Sequence, residues 1–235
     1  MVDKDKLADL LIDFAGTLVA DYEVDAKLSA LCERICGVVP VSGAGVMLED
    51  EDGDLRFVAA SDEVVRAIEG LQIEFGEGPC LHAYMTGQQV VVPDLQASDW
   101  FPNFTPRAVA AGLIGVYSFP MAMGEERVGA LNLYTGEIGE IGEDDSSAGQ
   151  VLADIATTYI LNARAFRESS RLSAQLQHAL DSRVVIEQAK GRLAEQLGVS
   201  PQEAFEVMRS ASRRDGVKLR TLAKQIAEGS LKLRA

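Results

Sequence analysis

Arg183-Val184-Val185-Ile186-Glu187-Gln188-Ala189-Lys190-Gly191-Arg192-Leu193 is the stretch from which the organisation of this chain can be read. Ile186, Ala189, Leu193 and Leu197 recur at helical spacing and share one face. Gly198 is a natural helix stop. Ser200-Pro201-Gln202-Glu203 follows, a capping box with proline at the first helical position, so a second helix starts there. It buries Ala204, Val207, Met208 and Ala211, with Phe205 at the edge, and ends by Asp215-Gly216. Leu219, Leu222, Ala223 and Ile226 give a third helix an apolar face, and Gly229 ends it. Three short helices with complementary stripes predict a small three-helix bundle.

Working upstream, the chain from Ser147 to about Leu197 has no proline and few glycines, which predicts one long helix, frayed near Ser169-Ser170. Asp144, Asp145 or Ser146 can cap its start. Leu172, Leu176, Ala179 and Leu180 form an apolar stripe along it. The stripe beginning at Ile186 is rotated from this one by roughly a quarter-turn, so the helix changes partners near Val184–Ile186. The first stripe suits the seam of a parallel coiled-coil dimer, or packing on the chain's own sheet.

The first half of the chain alternates helix and strand signals. Leu7, Leu10, Leu11, Phe14 and Leu18 mark a helix over 6–20, and Leu28, Leu31, Cys32 and Ile35 mark another over 25–36. Residues 41–49 and 55–60 read as strands joined through Asp52-Gly53. Asp62 can cap a short helix running to Gly70. Pro79 can open a helical turn, and Gln89–Val92 is a short strand. Residues 93–107 are irregular and carry Trp100, Phe101 and Phe104. Gly115–Met123 and Arg127–Tyr134 make a second hairpin. The class is therefore α+β: an antiparallel sheet with flanking helices, a long connector helix, and an all-α bundle.

Composition narrows the function. The 235 residues carry a net charge of −14, which read globally argues against a nucleic-acid partner. From Asp181 onward, however, there are 11 Lys and Arg against 7 Asp and Glu, a balance of +4, leaving −18 for the rest. Polyanion binding must be local to the end of the chain. No apolar run is long enough to span a membrane, and the polar start Met1–Lys6 is unlike a targeting peptide, so a cytoplasmic protein is expected. Cys32, Cys36 and Cys80 are too few for a disulfide framework and fit buried core cysteines in a reducing compartment. No metal site is expected.

The loop Gly76-Glu77-Gly78-Pro79-Cys80, followed by Gly129-Ala130-Leu131-Asn132-Leu133-Tyr134 at the end of the alternating strands, resembles a GAF domain over about 20–135. The resemblance implies a sensory module with a pocket between the sheet and the loop and short helices over it. Tyr84, Trp100, Phe101, Phe104 and Tyr117 are the candidate lining residues. No cofactor is identified. Cys80 and His82 are separated by Leu81, unlike the adjacent pair usual in bilin-binding GAF domains, and no second thiol accompanies Tyr117–Phe119 as in methionine-sulfoxide-reducing ones. A catalytic role is not expected.

Ile186, Ala189-Lys190-Gly191, Leu193, Gly198-Val199-Ser200, Ala204-Phe205, Met208-Arg209, Lys218-Leu219 and Leu222-Ala223 resemble an ANTAR domain in order and spacing. The resemblance implies a homodimer that binds paired hairpins in nascent RNA and acts in transcription antitermination. Met208 stands where leucine is commoner, a volume-conserving difference. By motif match Lys190, Arg209, Arg213 and Lys218 are the RNA contacts, with Arg192, Arg214 and Arg220 nearby in the basic set. The expected domains are a GAF domain over 1–145, a helical connector over 146–180 and an ANTAR domain over 181–235. The expected function is a signal-responsive RNA-binding antitermination regulator. A DNA-binding regulator, or a thiol-dependent redox enzyme using Cys80, is the alternative.

Overall fold

A computed structural model describes residues 1–16 and 24–231. Leu18, expected in the first helix, and residues 232–235, at the end of the expected ANTAR domain, lie outside that set. The chain divides into two compact units, Met1–Ala165 and Phe166–Ala235.

In the first unit, α1 (Lys4–Gly16) and α2 (Val24–Ile35) lead into β1 (Gly43–Glu49) and β2 (Leu55–Ala60). Then come α3 (Glu63–Phe75), α4 (Pro79–Thr86), β3 (Val90–Val92), α5 (Thr105–Ala110), β4 (Gly115–Met123) and β5 (Glu126–Thr135). The five strands form one sheet in the order β2-β1-β5-β4-β3, every neighbour antiparallel. Its period-two alternation supplies two separate cores. Val46, Leu48, Tyr117, Phe119, Leu131 and Leu133 face α1 and α2 on one side. Met47, Val116, Ala130 and Tyr134 face α3, α4 and α5 on the other. Central strands buried on both faces need apolar residues at nearly every position, and β1 and β5 have them.

The helix α6 (Glu143–Leu197) begins in this unit. Ala148, Leu152, Ala153, Ala156, Tyr159, Ile160 and Ala163 belong to the α1/α2 core. The stretch expected to be connector from 146 is thus sheet-packed helix as far as Ala163. Its alanines recur at helical spacing on the buried face, and Gly149 leaves room for the Phe119 ring of β4. Ser169-Ser170 does not fray the helix, which runs through both serines unbroken.

Two other expectations shift. Helix α3 continues five residues beyond Gly70, because Val65, Ile68, Glu69 and Gln72 keep one face buried past that glycine. Its stop is Gly76, at φ 62°, with Asp62 as the N-cap. The irregular 93–107 segment holds α5, whose first turn contains Pro106.

In the second unit, the end of α6 packs with α7 (Pro201–Arg214) and α8 (Leu219–Glu228). Ala189, Leu193, Ala204, Met208, Ala211, Leu222, Ala223 and Ile226 form its core, with Val185, Ile186 and Leu197 packed against it. The capping box is formed: Glu203 N–H donates to Ser200 Oγ at 3.3 Å, and Ser200 N–H donates to Glu203 Oε2 at 2.9 Å.

Candidate functional site

Under α3 and α4 the sheet carries a fully buried polar cluster. Glu69, Gln72, Ser118 and Asn132 are each 0% exposed. Asn132 Nδ2 donates to both carboxylate oxygens of Glu69, at 2.7 and 2.8 Å. Tyr134 Oη donates to Glu69 Oε1 at 3.0 Å, and Gln72 Nε2 donates to Glu69 Oε2 at 3.0 Å and to Tyr134 Oη at 3.2 Å. The far sides of the amides are also engaged. Cys80 N–H donates to Gln72 Oε1 at 2.9 Å, and the Ser118 hydroxyl donates to Asn132 Oδ1.

Two glycines make the room. A Cβ on Gly45 of β1 would stand 2.3 Å from Glu69 Oε1, and one on Gly78 would stand 2.2 Å from Gln72 Oε1. Gly78 also sits at φ 148°, a conformation that L side chains rarely adopt.

No Lys, Arg or His is a hydrogen-bond partner of Glu69 among the described residues. Burial pushes the Glu69 carboxyl up to about 7, while the hydrogen bonds from Asn132, Tyr134 and Gln72 oppose it. Burial, and then the Glu69 charge, push the Cys80 thiol and the Tyr134 phenol up as well. Cys80 is therefore a buried neutral thiol, without the electropositive, accessible surroundings that make a reactive thiolate.

The loop over this cluster is latched by a second carboxylate. Glu77 accepts the backbone N–H of Asn103 and of Phe104, the latter at 2.9 Å, and the Asn103 amide at 3.1 Å. Those hydrogen bonds hold the Glu77 carboxyl below the usual carboxylate range against the opposing effect of desolvation.

In the second unit, Lys190 is mostly covered. Its Nζ pairs with Glu187 at 2.8 Å and lies 5.8 Å from the centroid of the Phe205 ring. Phe205, Arg209 and Arg213 follow at four-residue spacing along α7, so they share a strip with Lys190 at one end. Arg209 approaches Glu206 at 3.8 Å, and Arg214 pairs with Asp215 at 2.8 Å. Arg192 Nη1 donates to the Ala227 carbonyl at 2.8 Å, satisfying the last turn of α8. Arg220 reaches the His178 ring. Arg213 and Lys218 are exposed and have no ion-pair partner among the described residues. Upstream of the bundle, Leu172, Leu176, Leu180 and Val184 are 52%, 58%, 59% and 56% exposed, and Ala179 is exposed too.

The GAF domain family model matches residues 23–160, and the ANTAR domain model matches residues 174–226. The chain belongs to the GAF family and carries a C-terminal ANTAR domain. No curated protein matches it. Solved structures agree on the fold of the GAF unit. Free methionine-R-sulfoxide reductase from Neisseria meningitidis is 18% identical, with a TM-score of 0.53 over 70% of this chain and 95% of its own. The GAF domain of a phosphoenolpyruvate-protein phosphotransferase from Coxiella burnetii is 17% identical, with a TM-score of 0.53 over 69% and 97%. The corresponding Acinetobacter domain is 14% identical, with a TM-score of 0.52 over 68% and 93%.

Of the aromatic residues expected to line a GAF pocket, Trp100, Phe101 and Phe104 make successive edge contacts, with ring centroids 6.0 and 6.4 Å apart, but Tyr117 is not with them. Tyr117 points to the opposite face of the sheet, where its hydroxyl donates to Gly139 O at 2.7 Å and accepts from Ile141 N–H at 2.9 Å. It is one strand position from Val116 and Ser118, so period-two alternation puts it in the other core. Phe101 and Phe104 are buried packing residues, whereas Trp100 is 61% exposed beside His82. Tyr84 Oη donates to Glu49 at 2.8 Å. The polar centre instead comes from Glu69 and Gln72, which the sequence does not single out, and from Asn132, which it shows only as part of the GAF-like run Gly129–Tyr134. The available signal was in the glycines: Gly45 opposite α3 and Gly78 before Pro79 mark close approaches.

Of the ANTAR cations, Lys190, Arg209 and Arg213 lie along one strip. Arg192 and Arg220 have contacts to other parts of the bundle. The sequence also passed over Phe205, half-buried beneath Lys190, as an aromatic surface within the strip.

Proposed function

We propose that this protein is a signal-responsive RNA-binding regulator of transcription antitermination, acting in the cytoplasm as a homodimer and without catalysis. The GAF unit senses a small ligand or a partner, and two ANTAR bundles hold paired hairpins in a nascent leader transcript. The observation that carries this reading is the stripe Leu172–Val184. It is more than half exposed in one chain, and it lies on the helix that begins in the GAF core and ends in the ANTAR core. Exposed leucines at helical spacing are stabilised by a second copy of the same helix.

Local chemistry supports RNA. The ion pairs of Lys190, Arg209 and Arg214 involve exposed carboxylates, and such pairs contribute at most about 1 kcal/mol, so phosphate can replace them. Single-stranded loop bases are recognised by stacking and by edge contacts, for which arginine planes and the Phe205 rim are suited. One bundle offers few cations, and two tethered bundles gain avidity on two hairpins.

A gel-shift titration with a two-hairpin leader RNA tests the reading. Lys190→Ala and Arg209→Ala are each expected to weaken binding by roughly three- to tenfold and to lower the salt slope by about 1. Equal competition by duplex DNA would favour a DNA-binding regulator instead. Unchanged binding in both variants would remove the named contacts.

A further inference from the structure

A buried carboxylate is ordinarily paired with a cation or a metal. No Lys, Arg or His is among the hydrogen-bond partners of Glu69 in the described residues, and neutral groups from α3 and β5 hold it instead. Those groups are oriented by bonds that do not involve Glu69. Gln72 Oε1 is occupied by the Cys80 N–H, and Asn132 Oδ1 by the Ser118 hydroxyl. The Cys80 N–H can only donate, so the Gln72 amide must aim its NH2 at the centre, and Asn132 with its Oδ1 on the Ser118 hydroxyl does the same. Tyr134 Oη accepts from Gln72 Nε2, so its own proton is also directed inward. Four donated hydrogen bonds converge on the Glu69 carboxyl group.

We propose that this cluster is a binding site for a small carboxylate, and that the chain's own Glu69 is its built-in occupant. An acetate- or propionate-sized group matches what the Glu69 side chain fills. A carboxylate ligand takes the site when α3 carries Glu69 away from β5. This names the ligand class for the GAF unit and rests on the sensory reading above. Gly45 and Gly78 have the same explanation: a side chain at either position would enter the space of Glu69 or Gln72. The Glu77 latch to Asn103 and Phe104 closes the loop that follows α3.

The test uses the full chain with Glu69→Ala, which removes what acetate restores. Trp100 is the single tryptophan and lies in the GAF unit, so its fluorescence reports unfolding of that unit. Thermal unfolding is followed at pH 7.5 with acetate, or with acetamide and chloride at matched concentration. In Glu69→Ala each tenfold rise in acetate above its Kd is expected to raise Tm by roughly 3–5 °C. Wild type, and the Glu69→Ala/Asn132→Ala double variant, are expected to show no such shift.

A folded Glu69→Ala protein that responds to acetate no more than to acetamide overturns the proposal. If Glu69→Ala does not fold, Glu69→Gln decides, because it keeps the bulk but turns an NH2 toward the donors. A lower Tm than wild type at pH 7.5 supports the site, and an equal or higher Tm overturns it. RNA affinity of Glu69→Ala measured with and without acetate separates the two readings. An acetate response that leaves RNA binding unchanged keeps the site and overturns the sensory reading. Unaltered RNA binding with no acetate response overturns the site alone.

Discussion

Glu69→Gln provides a measurement whose size follows from the geometry. The wild-type carboxyl titrates at about 7 in the folded protein, against an ordinary value of 4.5, because burial outweighs its hydrogen bonds. A folded-state value above the unfolded one means the folded protein holds the proton more tightly. The associated stability is fully present below about pH 4.5 and is lost as pH rises through 7. Between pH 5 and pH 8 this linkage amounts to about 2.5 kcal/mol. Among the described residues the titratable groups raised by the Glu69 charge are Cys80, Tyr134 and Cys32, all held protonated across that range by burial and then by that charge.

Urea unfolding of the full chain, followed through Trp100 at pH 5 and pH 8, gives the stability of the GAF unit at each pH. Glutamine cannot titrate. The drop from pH 5 to pH 8 should therefore be larger in wild type than in Glu69→Gln by about 2.5 kcal/mol. Every other carboxylate contributes equally to both proteins and cancels. Parallel pH profiles in the two proteins would refute the buried, cation-free placement of Glu69.

Ser200→Ala removes one half of the capping box and should cost about 1 kcal/mol of bundle stability, read by helix-signal melting; no change would mean the cap is not formed in solution. Leu176→Glu places a charge on the exposed stripe, so light scattering should report a monomer with an unchanged far-ultraviolet spectrum, and a retained dimer would move the interface elsewhere. Phe205→Leu keeps the bundle packed but removes the ring beneath Lys190; RNA affinity should fall by roughly three- to tenfold with little loss of Tm. Unaltered affinity would restrict the strip to its cations.

Local signals in the sequence were legible because their causes are local. Asp62, Ser200–Glu203 and Gly229 act within a few residues of the helix ends that they set. The switch of stripe at Val184–Ile186 could be seen for the same reason. Side-chain direction on a helix follows from spacing alone, and the structure leaves Val184 exposed while packing Val185 and Ile186 into the bundle. Period-two alternation likewise marked the strands of both hairpins.

The candidate GAF site was not legible, since it depends on which face lands where. Alternation separates Tyr117 from Ser118 but does not tell which side meets α3. Tyr117 was accordingly grouped with aromatics that lie across the sheet. In the sequence, Glu69 and Gln72 are ordinary polar residues of a helix, the kind that usually face water. Only the docking of α3 against Gly45 buries them, and only the pairing of β5 between β1 and β4 brings Asn132 and Tyr134 beneath them. The sequence by itself determined most of the elements, several of their caps and the order of the two domains, because those follow from short-range sterics and spacing. Tertiary structure alone decided that a carboxylate sits at the centre of the GAF unit, because burial is a property of the contacts between segments distant in the chain.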